Sequence, residues 1–330
     1  MTRAFLILPG RGSYTEKSLG SLPAEHPWVA HADAYRADLG LPPVSELDAA
    51  SKFDAKLHLR PANVSALIYL VSMLDAAEAM SRAQVVAVAG NSMGWYTALA
   101  AAGALSFEDG LRLVQEMALL QEQHPAGGQV LYPLVDEDWR PDAERAAAVE
   151  RALASSDGQA LPSIHLGGYA VLAGTERGLR HLLDELPRVK VGAVPYPFRL
   201  MQHGPYHTPW VEPVSRAARE RLADLEFSRP TATLIDGDGR RQSPWTSSPT
   251  EIRDYTFGRQ VVAPYDLTRS VLVGLREYAP ERVVLPGPGN TLGGIVGQVM
   301  AREGWRGIRT KADFQALQGG DAPLVESMRR

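Results

Sequence analysis

The feature that most constrains the fold is the segment AVAGNSMGWYTALAA, residues 87–101. Residues 83–89 form a short, apolar and β-branched run that stops at Gly90, which is typical of a buried strand in a parallel sheet. Residues 96–102 are rich in alanine and are predicted to form a helix. The glycines on both sides of Ser92 permit a sharp turn between the two. The segment therefore predicts an α/β protein in which Ser92 follows a sheet strand.

Strands and helices alternate along much of the remaining chain. Strands are predicted at residues 3–8, 232–235 and 282–285, and helices at 64–81, 211–225, 267–277 and 292–301. A capping box at Ser106 begins a further helix, whose apolar stripe includes Met117. Such alternation implies a parallel sheet covered by helices, and we expect a core of the α/β-hydrolase type.

The middle of the chain has a different pattern. Strands are predicted at residues 130–135, 163–165, 169–173 and 189–195, and helices at 141–154 and 176–186. Strand–helix–strand–strand–helix–strand is the ferredoxin-like order. We therefore expect a large α/β-hydrolase-like part, residues 1–126 and 207–330, with a small ferredoxin-like subdomain at 127–206 inserted into it.

Composition excludes several classes of protein. The 330 residues contain no cysteine, which rules out disulfides and thiolate chemistry, and the net charge of −4 argues against a nucleic-acid partner. The apolar run near the N-terminus is too short for a signal peptide, and no stretch resembles a membrane span. We expect a cytoplasmic protein without metal, nucleic-acid or membrane partners.

A strand, then Gly-x-Ser-x-Gly, then a helix is the arrangement of a nucleophile elbow. The helix that follows directs free N–H groups toward an oxyanion, and the Met93 amide would be one of these donors. The alternative is a small serine at a plain strand–helix turn, since the five-residue motif alone is a weak signal.

A serine nucleophile needs a base, and His207 is the favoured candidate. It lies in a constrained loop, Gly-Pro-Tyr-His-Thr-Pro, directly before a predicted helix. His203 in the same loop and His165 at the end of a short strand are lesser candidates.

Four segments together resemble the malonyl-CoA:acyl-carrier-protein transacylase family, whose fold is shared by the acyltransferase domains of polyketide synthases. GNSMGWYTALAAAGALSFEDGLRLV (90–114) resembles the family's serine segment, and LPGRGS (8–13) resembles its N-terminal Pro-Gly-Gln-Gly-Ser loop. GPYHTPWVEPV (204–214) resembles its histidine segment, and LPGPGNTLGGIV (285–296) its C-terminal Gly-Pro-Gly turn. The segments occur in the family's order and span most of the chain.

The resemblance implies a role for each matching residue. Ser92 would take the acyl group from a thioester, and His207 would act as its base. The main-chain carbonyl of Gln260 would orient the histidine, and the N–H groups of Met93 and Arg11 would form the oxyanion hole. No bound cofactor is implied, because acyl-CoA or an acyl-phosphopantetheine is the substrate.

The chain departs from the family's pattern at the residue that selects malonyl. The family binds the free carboxylate of malonyl with an arginine, and that position is Met117 here. No arginine or lysine occurs between Arg112 and Arg140, and burying an unpaired carboxylate costs several kcal/mol. We therefore expect a monocarboxylic acyl group. A Met117 that merely fills the core is the alternative.

Three further differences are assigned to the same pocket. Asn91 replaces the family's histidine before the serine, and Trp95 replaces a glutamate and would add bulk near the pocket mouth. His165 aligns where the family usually has an asparagine. Together with Met117, these residues predict a changed substrate.

The resulting hypothesis is an acyltransferase in fatty acid or polyketide-type biosynthesis. It would move an acyl group from coenzyme A or a carrier protein, through acyl-Ser92, to the phosphopantetheine thiol of an acyl carrier protein. Alternatives are a hydrolase that releases the same acyl group to water, a malonyl transacylase despite Met117, and a silent scaffold. Carrier proteins are usually acidic, so Arg188, Lys190 and Arg199 are candidates for a docking patch.

Overall fold

Two main β-sheets covered by helices organise the computed structural model, which describes residues 1–123, 127–320 and 322–329. The strands are β1 Thr2–Leu8, β2 Ala83–Gly90, β3 Gly128–Pro133, β4 Ala160–Leu166, β5 Tyr169–Gly174, β6 Val189–Val191, β7 Val194–Tyr196, β8 Phe198–Arg199, β9 Thr233–Ile235, β10 Arg241–Gln242, β11 Tyr265–Asp266, β12 Arg282–Leu285 and β13 Val325–Ser327. The α-helices are α1 Pro27–Asp38, α2 Val44–Asp48, α3 Ala55–His58, α4 Pro61–Arg82, α5 Gly94–Ala101, α6 Phe107–Gln123, α7 Ala143–Ala154, α8 Glu176–Glu185, α9 Glu212–Arg221, α10 Pro249–Phe257, α11 Arg259–Val262, α12 Leu267–Tyr278, α13 Leu292–Glu303 and α14 Lys311–Gln318.

The larger sheet has the strand order β10-β9-β2-β1-β12-β13. All of its pairs are parallel except the antiparallel pair at β10. β1 lies at the centre, and its residues from Ala4 to Leu8 are fully buried, as expected for a strand covered on both faces. The predicted α/β class with a parallel core is confirmed.

The carboxyl ends of β1 and β2 lie side by side, because Leu8 pairs with Gly90 in the register of the two strands. The loops that follow, residues 9–13 and 91–93, therefore emerge at the same edge of the sheet. They are in close contact: a Cβ added at Gly10 would lie 2.4 Å from the carbonyl oxygen of Asn91. This packing brings two of the predicted motifs to one place.

The smaller sheet has the order β11-β4-β5-β3-β8. Its pairs from β4 to β8 are antiparallel, and their arrangement is that of a ferredoxin-like sheet. The fourth strand of this unit is β8, whereas the predicted strand at 189–195 is wrong as a single element. Those residues form the separate hairpin of β6 and β7, which turns at Gly192, where a φ of 59° suits a residue without a side chain.

The smaller sheet also takes a strand from outside the middle segment. β11 pairs in parallel with β4, although it follows α11 late in the chain. The division at 126/127 and 206/207 remains a prediction, and residue 126 lies outside the described residues.

Among the described residues, one helix is long and apolar enough to cross a membrane by length and composition alone. It is α4, and 72% of its most apolar 18-residue window is buried inside the protein. In the fold, α4 is a core helix that packs against α5 and α6.

Several helices were not predicted from the sequence. α1 and α14 have no counterpart among the expected elements, and neither do α10 and α11, which lie between the predicted strand at 232–235 and the predicted helix at 267–277. α10 begins with a hydrogen bond from the Glu251 amide to the Ser248 hydroxyl, and α11 comes directly after it. The second of these helices carries Gln260, a residue of the candidate site.

We expect Gly90→Ala to destabilise the protein, because its Cβ would lie 2.0 Å from the carbonyl oxygen of Gly94. Overpacking of this kind lowers the free energy of unfolding by about 1–3 kcal/mol, measured by urea denaturation. Gly294→Ala in α13 is the matched control, since no atom lies within 4 Å of its added Cβ. A helix-interior alanine there should be neutral or stabilising. Equal urea midpoints for the two variants would contradict the prediction that the turn at Gly90 leaves no room for a side chain.

Candidate active site

Ser92 lies on a strained turn between β2 and α5. Its φ is 56°, in the left-handed region that non-glycine residues rarely adopt. The turn is held by hydrogen bonds from the Asn91 amide to the Leu8 carbonyl and from the Gly94 amide to the Asn91 carbonyl, at 2.9 and 2.8 Å. Strain of this kind persists where surrounding contacts enforce it, and it occurs often at functional sites.

Ser92 and His207 form a hydrogen-bonded pair. The Ser92 Oγ lies 2.7 Å from His207 Nε2, and His207 Nδ1 lies 2.8 Å from the main-chain oxygen of Gln260. A carbonyl can only accept, so Nδ1 carries the proton and Nε2 is free to accept one from the serine. This is the arrangement of a nucleophile, a base and a group that orients the base.

The side chain of Gln260 adds a contact that the sequence did not predict. Its Nε2 donates to the main-chain oxygen of Ser92 at 3.1 Å, and its Oε1 accepts from the Tyr96 hydroxyl at 2.8 Å. One residue of α11 therefore fixes both the serine backbone and the histidine ring.

Tyr265 supports the same turn from β11. Its hydroxyl donates to the carbonyl oxygen of Gly90 at 2.5 Å, and its ring centroid lies 5.4 Å from that of His207. Burial holds the pKa of Tyr265 well above its usual range, so the hydroxyl remains a donor.

The environment keeps His207 neutral. Burial lowers the pKa of His207 from 6.5 to about 4; the Gln260 carbonyl raises it, and the positive charge of Arg11 lowers it further. A neutral imidazole can accept the serine proton at physiological pH.

The two amides assigned to an oxyanion hole are available. Among the described residues, neither the Met93 N–H nor the Arg11 N–H donates a hydrogen bond to another protein group. Met93 is the N-cap of α5, so its amide lies at the positive end of a helix. Both residues line the same cavity as Ser92.

Two cavities meet at Ser92 and Arg11. A small one of about 20 Å³ is bounded by His207, Met117 and Gln121 among others. A larger one of about 320 Å³ lies between the two sheets. Its walls are mainly apolar and include Leu131, Ile164, Leu166, Val171, Leu292 and Ile295.

Two of the four predicted pocket residues line these cavities. Met117 is 1% exposed and faces the small cavity, so it is both a core residue and part of the pocket wall. Asn91 lines the large cavity, and its buried Oδ1 has no hydrogen-bond partner in the described part of the chain.

The other two predicted pocket residues line neither cavity. Trp95 is fully buried, its Nε1 donates to the Thr256 hydroxyl at 3.0 Å, and its ring packs against Tyr255. His165 is exposed, because side chains alternate along β4 and its neighbours Ile164 and Leu166 are the ones that face the cavity.

The side chain of Arg11 is the main element that sequence reasoning missed. It was assigned only a main-chain role, yet its guanidinium donates to the Tyr206 hydroxyl at 3.1 Å and to Gln121 Oε1. It also lies over the Tyr206 ring, 4.4 Å from the centroid. Methionine at position 117 had suggested a pocket without a cation, but the pocket contains the guanidinium of Arg11.

His203 lines the large cavity and does not contact Ser92. Its Nδ1 lies 2.7 Å from Gln129 Oε1, and Gln129 in turn donates to the Ser163 hydroxyl. Burial, with smaller contributions from Arg11 and His207, lowers the pKa of His203 to about 3. It is a neutral wall residue next to the catalytic pair.

Comparisons with known proteins identify relatives that match most of the chain. No protein-family model matches the chain. The malonyl CoA-acyl carrier protein transacylase of Escherichia coli is 26% identical over 307 residues, covering 91% of this chain and 94% of that protein. A solved acyl-carrier-protein S-malonyltransferase from Burkholderia pseudomallei superposes with a TM-score of 0.70 at 26% identity, covering 91% and 93% of the two chains. The predicted resemblance to the malonyl-CoA:acyl-carrier-protein transacylase family therefore extends over most of the chain.

A further structure extends the fold match to the whole chain. A malonyl-transacylase solved in complex with a type II polyketide synthase acyl-carrier protein covers 100% of this chain with a TM-score of 0.73, at 19% identity. The predicted family, the α/β fold and the acyltransferase class of enzyme are confirmed. Within the described residues, no group of three or more His, Cys, Asp or Glu side chains is arranged to hold a metal ion.

The lowered pKa of His207 predicts how Ser92 reactivity depends on pH. Labelling of Ser92 by a sulfonyl fluoride requires neutral His207, so the rate should be half-maximal near pH 4 rather than near 6.5. Arg11→Gln removes a charge that lowers this pKa, so the half-maximal point should move to higher pH. Intact-mass spectrometry gives the rates, and circular dichroism at each pH checks that the protein stays folded. A wild-type labelling rate that is half-maximal near pH 6.5 would contradict the lowered pKa of His207.

Proposed function

We propose that the protein transfers an acyl group from a thioester, through an ester on Ser92, to the phosphopantetheine thiol of an acyl carrier protein. The observation that carries the proposal is the 2.7 Å contact between Ser92 Oγ and His207 Nε2, next to two free amides. The similarity to malonyl CoA-acyl carrier protein transacylases supports the same reaction, since those relatives are named for transfer between coenzyme A and acyl carrier protein.

In the first half-reaction, Ser92 Oγ attacks the thioester carbonyl while His207 Nε2 takes the hydroxyl proton. The negative charge that develops on the carbonyl oxygen is stabilised by the N–H groups of Met93 and Arg11. The tetrahedral intermediate then expels the thiol, which receives its proton from His207. The products are acyl-Ser92 and free coenzyme A, or a free carrier-protein thiol.

The second half-reaction reverses these roles. The phosphopantetheine thiol of the acceptor gives its proton to His207 and attacks the ester carbonyl of acyl-Ser92. The intermediate releases Ser92 Oγ, which regains the proton from His207. No resident cofactor takes part, because the acyl-CoA or acyl-phosphopantetheine thioester is itself the substrate.

The two cavities suggest how the substrate lies. The larger cavity, about 320 Å³, fits the pantetheine arm, with apolar walls for its methylene and methyl groups and polar side chains such as Gln129 and Thr291. The smaller cavity holds only about 20 Å³, so we propose a short acyl group beside Met117. A long acyl chain would have to compete for the larger cavity.

The partner in the proposal is an acyl carrier protein. Arg188, Lys190 and Arg199 are all exposed, but Arg199 pairs with Glu176 at 2.7 Å, which reduces its free positive charge. Arg188 and Lys190 are therefore the stronger candidates for contact with an acidic carrier.

Ser92→Ala tests the proposal directly. Wild-type protein mixed with acetyl-CoA or malonyl-CoA should gain the mass of the acyl group, and Ser92→Ala should gain none, a loss of about 10⁴-fold or more in rate. Added holo-acyl carrier protein should then receive the acyl group. Arg177→Ala is a matched control, since its side chain is exposed and pairs only with Asp157.

The fate of acyl-Ser92 separates transfer from hydrolysis. Free acid that accumulates while the holo-carrier protein stays unacylated would identify the hydrolase. Absence of an adduct with acetyl-, malonyl- or longer acyl-CoA and acyl-carrier protein would favour the silent scaffold.

A further inference from the structure

Arg11 places a positive charge where the two cavities meet. Arg11 lines both of them, together with Ser92 and Tyr206, and its guanidinium lies between Tyr206 and Gln121. No aspartate or glutamate of the described residues lines either cavity, and none pairs with Arg11 within 4 Å. Since both lining histidines have lowered pKa values, Arg11 is the permanent charge of the site.

The guanidinium is held in place but is not saturated. An arginine side chain carries five N–H donors. Within the described residues, the guanidinium of Arg11 donates to Tyr206 and Gln121. Both partners are neutral, and the Tyr206 ring covers one face of the guanidinium plane. Donors along its edges therefore remain for a ligand, in a geometry suited to the two oxygens of a carboxylate.

The position of Met117 is consistent with a carboxylate bound from this side. Met117 and Gln121 lie one turn apart on α6, and both line the small cavity. Met117 offers an apolar contact for a methylene group, while the Gln121 oxygen fixes the guanidinium. A cation without a counter-ion on a ligand-binding wall is best complemented by an anionic group of the substrate.

We propose that Arg11 binds the free carboxylate of a short dicarboxylic acyl group, such as malonyl, and so determines which acyl group is loaded onto Ser92. The proposal rests on the proposed function, in which Ser92 accepts an acyl group from a thioester. It transfers the carboxylate-binding role from α6 to the loop after β1. It also reverses the expectation of a monocarboxylic acyl group, which assumed a pocket without a cation.

The test compares initial rates of acyl-Ser92 formation from malonyl-CoA and acetyl-CoA by intact-mass spectrometry. Wild-type protein should react faster with malonyl-CoA. Arg11→Gln should lower the ratio of the malonyl to the acetyl rate by about 100-fold, because a bidentate arginine–carboxylate interaction is lost. The ratio is the readout because any effect on the oxyanion hole applies to both substrates. Arg112→Gln is the matched control: this arginine lies on the outer face of α6 and pairs with Asp224 at 2.7 Å.

A second variant protects the test against a folding defect. Met117→Arg added to Arg11→Gln returns a guanidinium to the pocket from α6, and the malonyl-to-acetyl ratio should recover. A ratio that is unchanged by Arg11→Gln, or a wild-type preference for acetyl, would overturn the role of Arg11 while leaving acyl transfer intact. Absence of acyl-Ser92 with every thioester would instead overturn the proposed function, and this inference with it.

Discussion

The site depends on the short helix α11, where Gln260 makes three hydrogen bonds. Its main-chain oxygen accepts from His207 Nδ1. Its side-chain Nε2 donates to the Ser92 carbonyl, and its side-chain Oε1 accepts from the Tyr96 hydroxyl. Serine and histidine come from distant parts of the chain and both adopt left-handed backbone angles, with φ values of 56° and 59°. Neither conformation is favourable on its own. Gln260 contacts both residues and so holds the two side chains within hydrogen-bonding distance of each other.

Local sequence patterns were enough to find the strand, the turn and the helix around Ser92. The apolar run of β2 and the glycines of the turn act over a few residues, and such short-range signals survive without knowledge of the fold. His207 required more, since only its constrained loop and the resemblance of the surrounding segment distinguished it from the other histidines. The main-chain role of Gln260 came from the resemblance alone.

The errors arose where a side chain's direction depends on distant partners. Trp95 lines neither cavity and instead contacts Thr256 and Tyr255 of α10. The direction of Arg11 is set by Tyr206 and Gln121, far away in the sequence. His165 was the avoidable error, because strand alternation already places it opposite Ile164 and Leu166. Likewise, Gly192 was a visible signal for the hairpin that was predicted as one strand.

The two-residue strand β11 has a mechanical consequence. Tyr265 and Asp266 pair with Ile164 and His165 of the smaller sheet, while the Tyr265 hydroxyl holds the Gly90 carbonyl of the larger one. Tyr265 therefore links the two sheets beside Ser92. We expect any widening of the cleft between the sheets to occur away from this link, so that the reacting groups stay in place.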